Sequence, residues 1–514
     1  MSRKELFVLS VILTVALGFH HDFEKLYRSS TNRMVDFSIY KSPENEKYNA
    51  FWKADGQNFL RKKIMESQIY NKAKNAIIFL GDGMGVGTTT ATRVFKAQNK
   101  GQRFGEEESL SFDQFPFSGL SRTYCTNAQV PDSACTATAY LGGVKTNIAL
   151  LGVNSNVPFK NCTAANDPAN QVESIMAWAQ RSGKATGIVT TTTVSHASPG
   201  AAYAHVANRM WQSDSDVLAD GEDPVVCKDI ASQLIHSFPG KNFDVIFGGG
   251  RTNFLPKRTF DETNAEGLRS DGRNLINQWK AYHPEGTYIT NRDQLLSLPI
   301  NNTKRVLGLF HAQDLDFHQY SDKAYQPTLE EMTEAAIKVL SRNQNGYVLF
   351  VEGGRIDHGN HFTRAHLALD ECNEFDKAIE NAAKRTNPYE TLTVVTSDHS
   401  HPVSVAGYGP RGNDVLGLVE GMSDLNGHGF AVLNYPVGPD QYIGKDIKQE
   451  FTDRLEFPSP SYINSFIGNH GGDDVSVYAK GPYSHLFTGS MEQNEIPHKI
   501  AYALCIGNGL KVCK

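Results

Sequence analysis

Short apolar runs, rich in β-branched residues, recur along the chain: Ala76–Leu80, Gly187–Thr190, Val245–Phe247, Arg305–Phe310, Tyr347–Val351, Leu392–Thr396 and Val475–Tyr478. Runs of this kind, with little polar alternation, are the pattern of strands buried on both faces. Amphipathic stretches lie between them. Thr328-Leu329-Glu330-Glu331 has the spacing of a capping box and predicts a helix through Leu340. Glu173–Gln180 predicts a second helix with Gly183 placed to end it, and Ala365–Ala383 a third. Strands alternating with helices predict an α/β fold: a doubly wound, central, mostly parallel β-sheet flanked by helices. From about residue 407 to 469 the rhythm breaks. That stretch is rich in Gly, Pro, Asn and Tyr without a long helical period, which predicts either a small irregular lobe inserted over the sheet or a set of surface loops.

Composition narrows this picture. The 514 residues exceed an average domain, and one large α/β enzyme with insertions accommodates them. Hydrophobic residues at 40% and charged residues at 21% permit a sizeable core. A net charge of -6 and the lack of any basic run argue against a nucleic-acid partner. The chain opens Met1-Ser2-Arg3-Lys4 and continues apolar from Leu6 to Phe19, the layout of a secretory signal rather than a membrane span. Residues 1–19 are therefore read as a signal peptide, with a buried N-terminal helix as the alternative, and 20–514 as the catalytic domain. The sequons Asn161-Cys162-Thr163 and Asn301-Asn302-Thr303 fit an exported glycoprotein. The last residues, Gly507 to Lys514, lack the pattern of a lipid-anchored precursor, so the expectation is a secreted, extracellular protein with no membrane anchor. Seven cysteines leave at least one unpaired within the chain, and Cys505 and Cys513 are near enough to close a terminal loop.

The candidate chemistry sits where the predicted strands end. Ala76–Leu80 runs into Gly81-Asp82-Gly83-Met84-Gly85, and Tyr347–Val351 into Glu352-Gly353-Gly354-Arg355-Ile356-Asp357-His358-Gly359-Asn360-His361. Leu392–Thr396 runs into Ser397-Asp398-His399-Ser400-His401, and Gly187–Thr190 leads to His196-Ala197-Ser198. Ligands of open α/β sheets bind beyond the carboxyl ends of the strands, so these clusters have a place to converge. Carboxylates suit magnesium, and carboxylates mixed with imidazoles suit zinc. Asp357 and His361 share a face if their segment turns helically. A lone Asp-His pair is ordinarily structural; several clusters at strand ends are not. The glycines after Ala76–Leu80 miss the dinucleotide spacing, and Asp82 between them would repel a pyrophosphate unless a cation intervened. Asp132-Ser133-Ala134 reads as a helix start with Asp132 as N-cap, putting Ser133 where backbone N–H groups favour an anion. Without the clusters, Ser133 would be read as part of a cap.

Together these motifs resemble the animal-type alkaline phosphatases, from about Tyr48 to Cys513. The most specific stretches are Phe79–Gly87, Val130–Lys145, Thr190–Trp211, Phe350–His361, Thr396–His401 and Asn469–Asp474. The resemblance implies hydrolysis of phosphate monoesters through a phosphoserine on Ser133, with two zinc ions and one magnesium. It implies Asp357, His361 and His470 as ligands of one zinc and Asp82, Asp398 and His399 as ligands of the other. Asp82 would also reach the magnesium, with Ser198 and Glu352. Arg209 would hold the phosphate, Asp132 would orient Arg209, and His196 and His358 would support the site. A homodimer, a crown-like insertion near 407–469, and disulfides Cys162–Cys227 and Cys505–Cys513 are implied too, leaving Cys125, Cys135 and Cys372 free.

The resemblance breaks in places. Cys135 stands where the animal enzymes usually carry a small residue such as glycine, and is expected to be a buried filler. A further calcium ion is not expected, because Phe310-His311 and Gln326 occupy positions where acidic ligands are common. Ile467-Gly468-Asn469 lacks the acidic character often found before His470. A sulfatase would need a C/S-x-P-x-R motif, absent around Ser133, and a diesterase usually uses threonine. A non-catalytic relative would have lost a ligand or Ser133, and none is lost.

Overall fold

The computed structural model describes residues 37–424, 426–439, 446–452 and 454–513. The segment read as a signal peptide lies outside the described residues. The strands are β1 (Asn75–Gly81), β2 (Phe117–Arg122), β3 (Ala185–Thr193), β4 (Val245–Gly249), β5 (Thr287–Ile289), β6 (Val306–Leu309), β7 (Tyr347–Gly353), β8 (Thr391–Thr396), β9 (Ser404–Val405), β10 (Leu433–Gly438), β11 (Ser461–Asn464), β12 (Val475–Lys480) and β13 (Gly489–Glu492). Ten of them form a central sheet in the order β13-β2-β12-β8-β1-β7-β3-β4-β6-β5. Within it β12 runs antiparallel to both neighbours and the other pairings are parallel.

The apolar runs are continuous because both faces of the sheet are covered. Ile77 and Phe79 of β1 join a core with Val351, Leu340 and Phe375 on one face. Ile78 and Leu80 join Phe350, Tyr140 and Ile188 on the other. The first face is covered by helices Leu329–Leu340 and Ala365–Arg385, the second by Ser133–Gly142, Ile175–Arg181 and Glu495–Leu504. Each side chain such as Phe79 or Ile78, fully removed from water here, contributes about 1.5–3 kcal/mol.

The helix signals hold with small shifts. Glu331 N–H donates to Thr328 Oγ1 (3.2 Å) and Thr328 N–H to Glu331 Oε2 (3.1 Å), completing the capping box. The second helix starts at Ile175 because Ser174 caps it, accepting from Ala177 N–H at 3.4 Å. The third runs on to Arg385. Strands β2, β5 and β13 escaped the apolar-run criterion. They lie at or near the sheet margins and are only partly buried, so their sequences stay mixed. The region around 407–469 holds β10 and β11, which with β9 make a separate three-stranded sheet. It rests on the main body, where Val415, Val419, Leu433 and Tyr435 pack with Ala91, Phe95, Ala365 and Leu369.

Cys162–Cys227 and Cys505–Cys513 are bonded as the resemblance implied. The third pairing corrects it: Cys125 and Cys135 are not free thiols but a disulfide, and Cys135 is not a mere filler. The cause is a tight turn. Cys125 N–H donates to the Ala128 carbonyl (3.1 Å), with the reciprocal contact at 3.4 Å, so the chain doubles back over the helix that starts at Ser133. The two Cα atoms end 5.8 Å apart, within disulfide range. Cys372 alone is free; it is buried, and burial pushes its thiol up to about 12.

Candidate active site

Strands β8, β1, β7 and β3 are consecutive and parallel, so their carboxyl ends share one edge. β1 delivers Asp82 and β8 delivers Asp398 and His399. β7 carries Glu352 and leads into the helix Arg355–His361, which carries Asp357, His358 and His361. β3 leads to His196 and Ser198. The chain leaves β1 through Gly83 at φ +67; a Cβ there would stand 2.7 Å from His401 Cδ2 and 2.9 Å from Asp357 Oδ1. Only glycine fits that approach.

Among the described residues, most of the predicted ligands come together in three groups, joined by His196 and His401. Asp82, Asp398 and His399 place their ligand atoms within 4.8 Å of one another, as do Asp357, His399, His401 and His470, and Asp82, His196 and Glu352. His361 lies one helical turn beyond Asp357, with Nε2 3.2 Å from Asp357 Oδ2 and 3.0 Å from His470 Nε2. Ser198 is buried beside Glu352.

Both the donors and their deficits suit cations. Among the described residues, Asp82 Oδ1 and Oδ2, Glu352 Oε1 and Ser198 Oγ, all buried, lack a hydrogen-bond partner, and Asp398 Oδ2 lies 3.0 Å from His399 Nε2. Unsatisfied carboxylate oxygens are costly to bury, and divalent ions satisfy several at once. Burial and the charges of Asp398, Asp357 and Glu352 hold Asp82 well above the usual carboxylate range. Burial raises Asp398 and pushes Glu352 up to about 7. Burial opposes the ionisation of Asp357, but His361 and His401 outweigh it and hold its carboxyl well below the ordinary value. Burial brings His399 down to about 3 and holds His470 well below its usual value, leaving neutral imidazoles, the form that ligates metals.

Ser133 is the first residue of its helix and is buried, with Oγ 3.2 Å from His399 Nε2. Asp132 caps that helix: Oδ1 accepts from Cys135 N–H (3.2 Å) and Ala149 N–H (3.0 Å). Its Oδ2 accepts from Arg209 Nη1 at 3.0 Å, and Arg209 Nη2 donates to His196 Nε2 at 3.1 Å. The His196 and His358 rings stand 5.8 Å apart, and Arg355 Nη1 donates to His358 Nδ1 at 2.6 Å. All thirteen residues singled out in the sequence thus fall in one region.

Several supporting groups carried no role in the sequence. His401, fully shielded in its side chain, places Nε2 2.5 Å from Asp357 Oδ1. Its presence in Asp398-His399-Ser400-His401 was the available signal. The Thr190 and Thr192 hydroxyls both donate to Glu352 Oε2, the latter at 3.1 Å. His470 Nδ1 donates to the Pro131 carbonyl (2.8 Å) and His361 Nδ1 to the Gly468 carbonyl (2.6 Å), which turns both Nε2 atoms toward the cluster. Elsewhere, Gln326 has both ends of its amide engaged by Asp316, accepting from its N–H at 3.0 Å and donating to Oδ2 at 2.6 Å. A second cluster, His318, Asp370 and Glu374, balances its own charge: His318 Nδ1 is 2.7 Å from Asp370 Oδ2, and Lys377 pairs with Glu374.

A doubly wound sheet whose strand ends gather carboxylates and imidazoles around a serine at the start of a helix and an arginine defines a metal-dependent hydrolase of phosphate esters. The sequence profile of the alkaline phosphatase family matches residues 73–506, and the chain belongs to that family. It is 46% identical over 478 residues to the membrane-bound alkaline phosphatase of Bombyx mori, covering 90% of this chain and 86% of that protein. It is 44% identical over 489 residues to the tissue-nonspecific alkaline phosphatase of Rattus norvegicus, covering 92% and 91%. The solved alkaline phosphatase of the Antarctic bacterium TAB5 superposes with a TM-score of 0.59 at 25% identity, over 85% of this chain and 99% of that one. The chain is accordingly a phosphomonoesterase of the alkaline phosphatase kind.

Proposed function

We propose that the chain cleaves a broad range of phosphate monoesters through a covalent phosphoserine on Ser133, with two zinc ions and one magnesium per chain. Asp357, His361 and His470 hold one zinc, and Asp82, Asp398 and His399 the other. Asp82 also reaches the magnesium with Ser198 and Glu352. The observation that carries this is the set of buried oxygens of Asp82, Glu352 and Ser198 that lack a hydrogen-bond partner among the described residues, gathered with Asp398 beside a buried serine. When bound, the ions lower the pKa of the serine hydroxyl and of a water, and leave a surplus of positive charge for a phosphate dianion.

The chain's own residues do the rest. Ser133 Oγ attacks phosphorus; the P–Oγ bond forms as the ester P–O bond breaks, and the alcohol leaves with a proton. Water then cleaves the phosphoserine, returning a proton to Ser133 and releasing phosphate. Arg209 grips two phosphate oxygens with its planar fork while Asp132 keeps the fork aimed. His196 braces Arg209, and His358 sits in the Arg355–Asp314 network behind it. Recognition centres on the phosphoryl group, which suits many alcohols, and the need for alkoxide favours mildly alkaline pH.

Export as an extracellular glycoprotein is part of the proposal. Three disulfides and exposed asparagines at 161 and 301 support it. Among the described residues no helix is long and apolar enough to cross a membrane, and the Bombyx mori relative is named membrane-bound, so fractionation of the expressing cells decides between a free and an attached form. A homodimer is supported by the helix Asn49–Met65, which buries none of its residues and exposes Trp52, Phe59, Leu60, Ile64 and Met65. Light scattering on the purified protein reads its mass. For the chemistry, Ser133→Ala abolishes turnover of p-nitrophenyl phosphate while metal content and phosphate binding persist. Undiminished turnover would sink the mechanism.

A further inference from the structure

The Cys125–Cys135 disulfide closes a ring that contains the nucleophile, and the contents of that ring are unusual. Residues 126, 127, 129 and 130 are exposed, and 129–132 belong to no helix or strand. A strap of this kind is ordinarily mobile. Yet it delivers three groups to the site in consecutive positions. The Pro131 carbonyl accepts from His470 Nδ1 at 2.8 Å. The Asp132 carboxylate accepts from Arg209 at 3.0 Å. Ser133 stands 3.2 Å from His399. The strap also lies against the loop carrying His470, since a Cβ on Gly472 would meet the Gln129 carbonyl at 3.3 Å and Val130 Cγ2 at 3.4 Å.

Its fastenings lie at its two ends. Thr126 N–H donates to the Thr146 carbonyl (2.9 Å), and Asn127 Oδ1 accepts from Ile148 N–H (2.8 Å). At the other end Asp132 accepts from Cys135 N–H and Ala149 N–H. The disulfide joins these ends to the first turn of the Ser133–Gly142 helix, and both cysteines are 2% exposed. Such burial makes a permanent brace rather than a thiol pair open to reductants.

We propose that the Cys125–Cys135 disulfide is a positioning element of the reaction: it fixes the strap so that the Pro131 carbonyl, Asp132 and Ser133 keep their alignment with His470, Arg209 and His399. This rests on the reading of Ser133 as nucleophile. A one-ångström displacement at a reacting group is enough to cost a hundredfold in rate, so a loosened strap is felt in turnover and not only in stability.

The test compares Cys125→Ser, Cys135→Ser and the double variant with the parent protein, zinc- and magnesium-saturated and well below their melting temperatures. Each single variant lowers kcat/KM at least tenfold, weakens inhibition by inorganic phosphate, and matches the double variant, because either change opens the same ring. All three still acquire phosphate on Ser133 in acid-quenched turnover, which keeps a failed brace distinct from a misassigned nucleophile. If the disulfide serves folding alone, the melting temperature drops while kcat/KM and phosphate inhibition stay at parental values, and the proposal is overturned. It is equally overturned if only Cys135→Ser impairs turnover, for then the effect belongs to the side chain beside Ser133 and not to the ring.

Discussion

Asp132→Ala perturbs one carboxylate that serves two neighbours. Oδ1 caps the nucleophile's helix and also takes the Ala149 N–H; Oδ2 holds Arg209. Losing an N-cap costs about 1 kcal/mol. Leaving the Ala149 N–H without its charged acceptor adds about 1–3 kcal/mol. The Arg209 pair is partly wet, with side chains 18% and 12% exposed, so its loss falls below the about 3–5 kcal/mol of a fully buried pair broken on one side. Allowing for overlap among these, stability falls by roughly 2–4 kcal/mol. The functional effect follows from Arg209, left with His196 as its remaining tether at 3.1 Å. Ordering a freed side chain costs about 0.5–1.5 kcal/mol at each binding event, or roughly two- to tenfold in phosphate affinity. Competitive inhibition by inorganic phosphate, measured against p-nitrophenyl phosphate at saturating metal, reads this directly. Asp132→Asn keeps an oxygen for the cap but loses the charge, so it recovers stability and not phosphate affinity. An unchanged inhibition constant in folded, metal-loaded Asp132→Ala would refute the claim that Asp132 aims Arg209.

Two other outcomes follow from the same geometry. His401→Ala strips Asp357 of its 2.5 Å partner, and zinc retention during dialysis against a chelator falls about 10- to 100-fold while magnesium retention changes little. His318, facing Asp370, Glu371 and Glu374, has its pKa raised by the Asp370 hydrogen bond against burial. Its stabilisation is therefore complete below the unfolded value of 6.5 and is lost as pH rises through the higher native value. His318→Gln accordingly lowers the melting temperature more at pH 5.5 than at pH 9; an equal loss at both would contradict the pairing.

The parts legible in sequence share a cause. β1, β3, β7 and β8 are buried on both faces, so their runs are uniformly apolar, and ligand-type residues follow each run within a few positions. Asp357 and His361 have the spacing to share a helical face, and the helix Arg355–His361 supplies the condition that spacing left open. What stayed hidden depended on contacts between distant segments. The Cys125–Cys135 bond follows from the turn at Ala128, which no residue type announces. Thr190 and Thr192 look like ordinary strand residues until β3 lies beside β7 and Glu352. Pro131 acts through its carbonyl, which carries no trace in the sequence. β2 and β13, at one margin of the sheet, are only partly buried and lack the apolar signal altogether.

The central claim is that Ser133 carries the phosphoryl group between ester and water. Rapid acid quenching of the metal-saturated protein during turnover of a labelled phosphate monoester, followed by peptide mapping, tests it most directly. The account predicts one labelled peptide spanning Asp132-Ser133-Ala134, with phosphate on Ser133 and none in Ser133→Ala. Label on a different residue, or full turnover with no phosphorylated residue trapped under any quench, would contradict it.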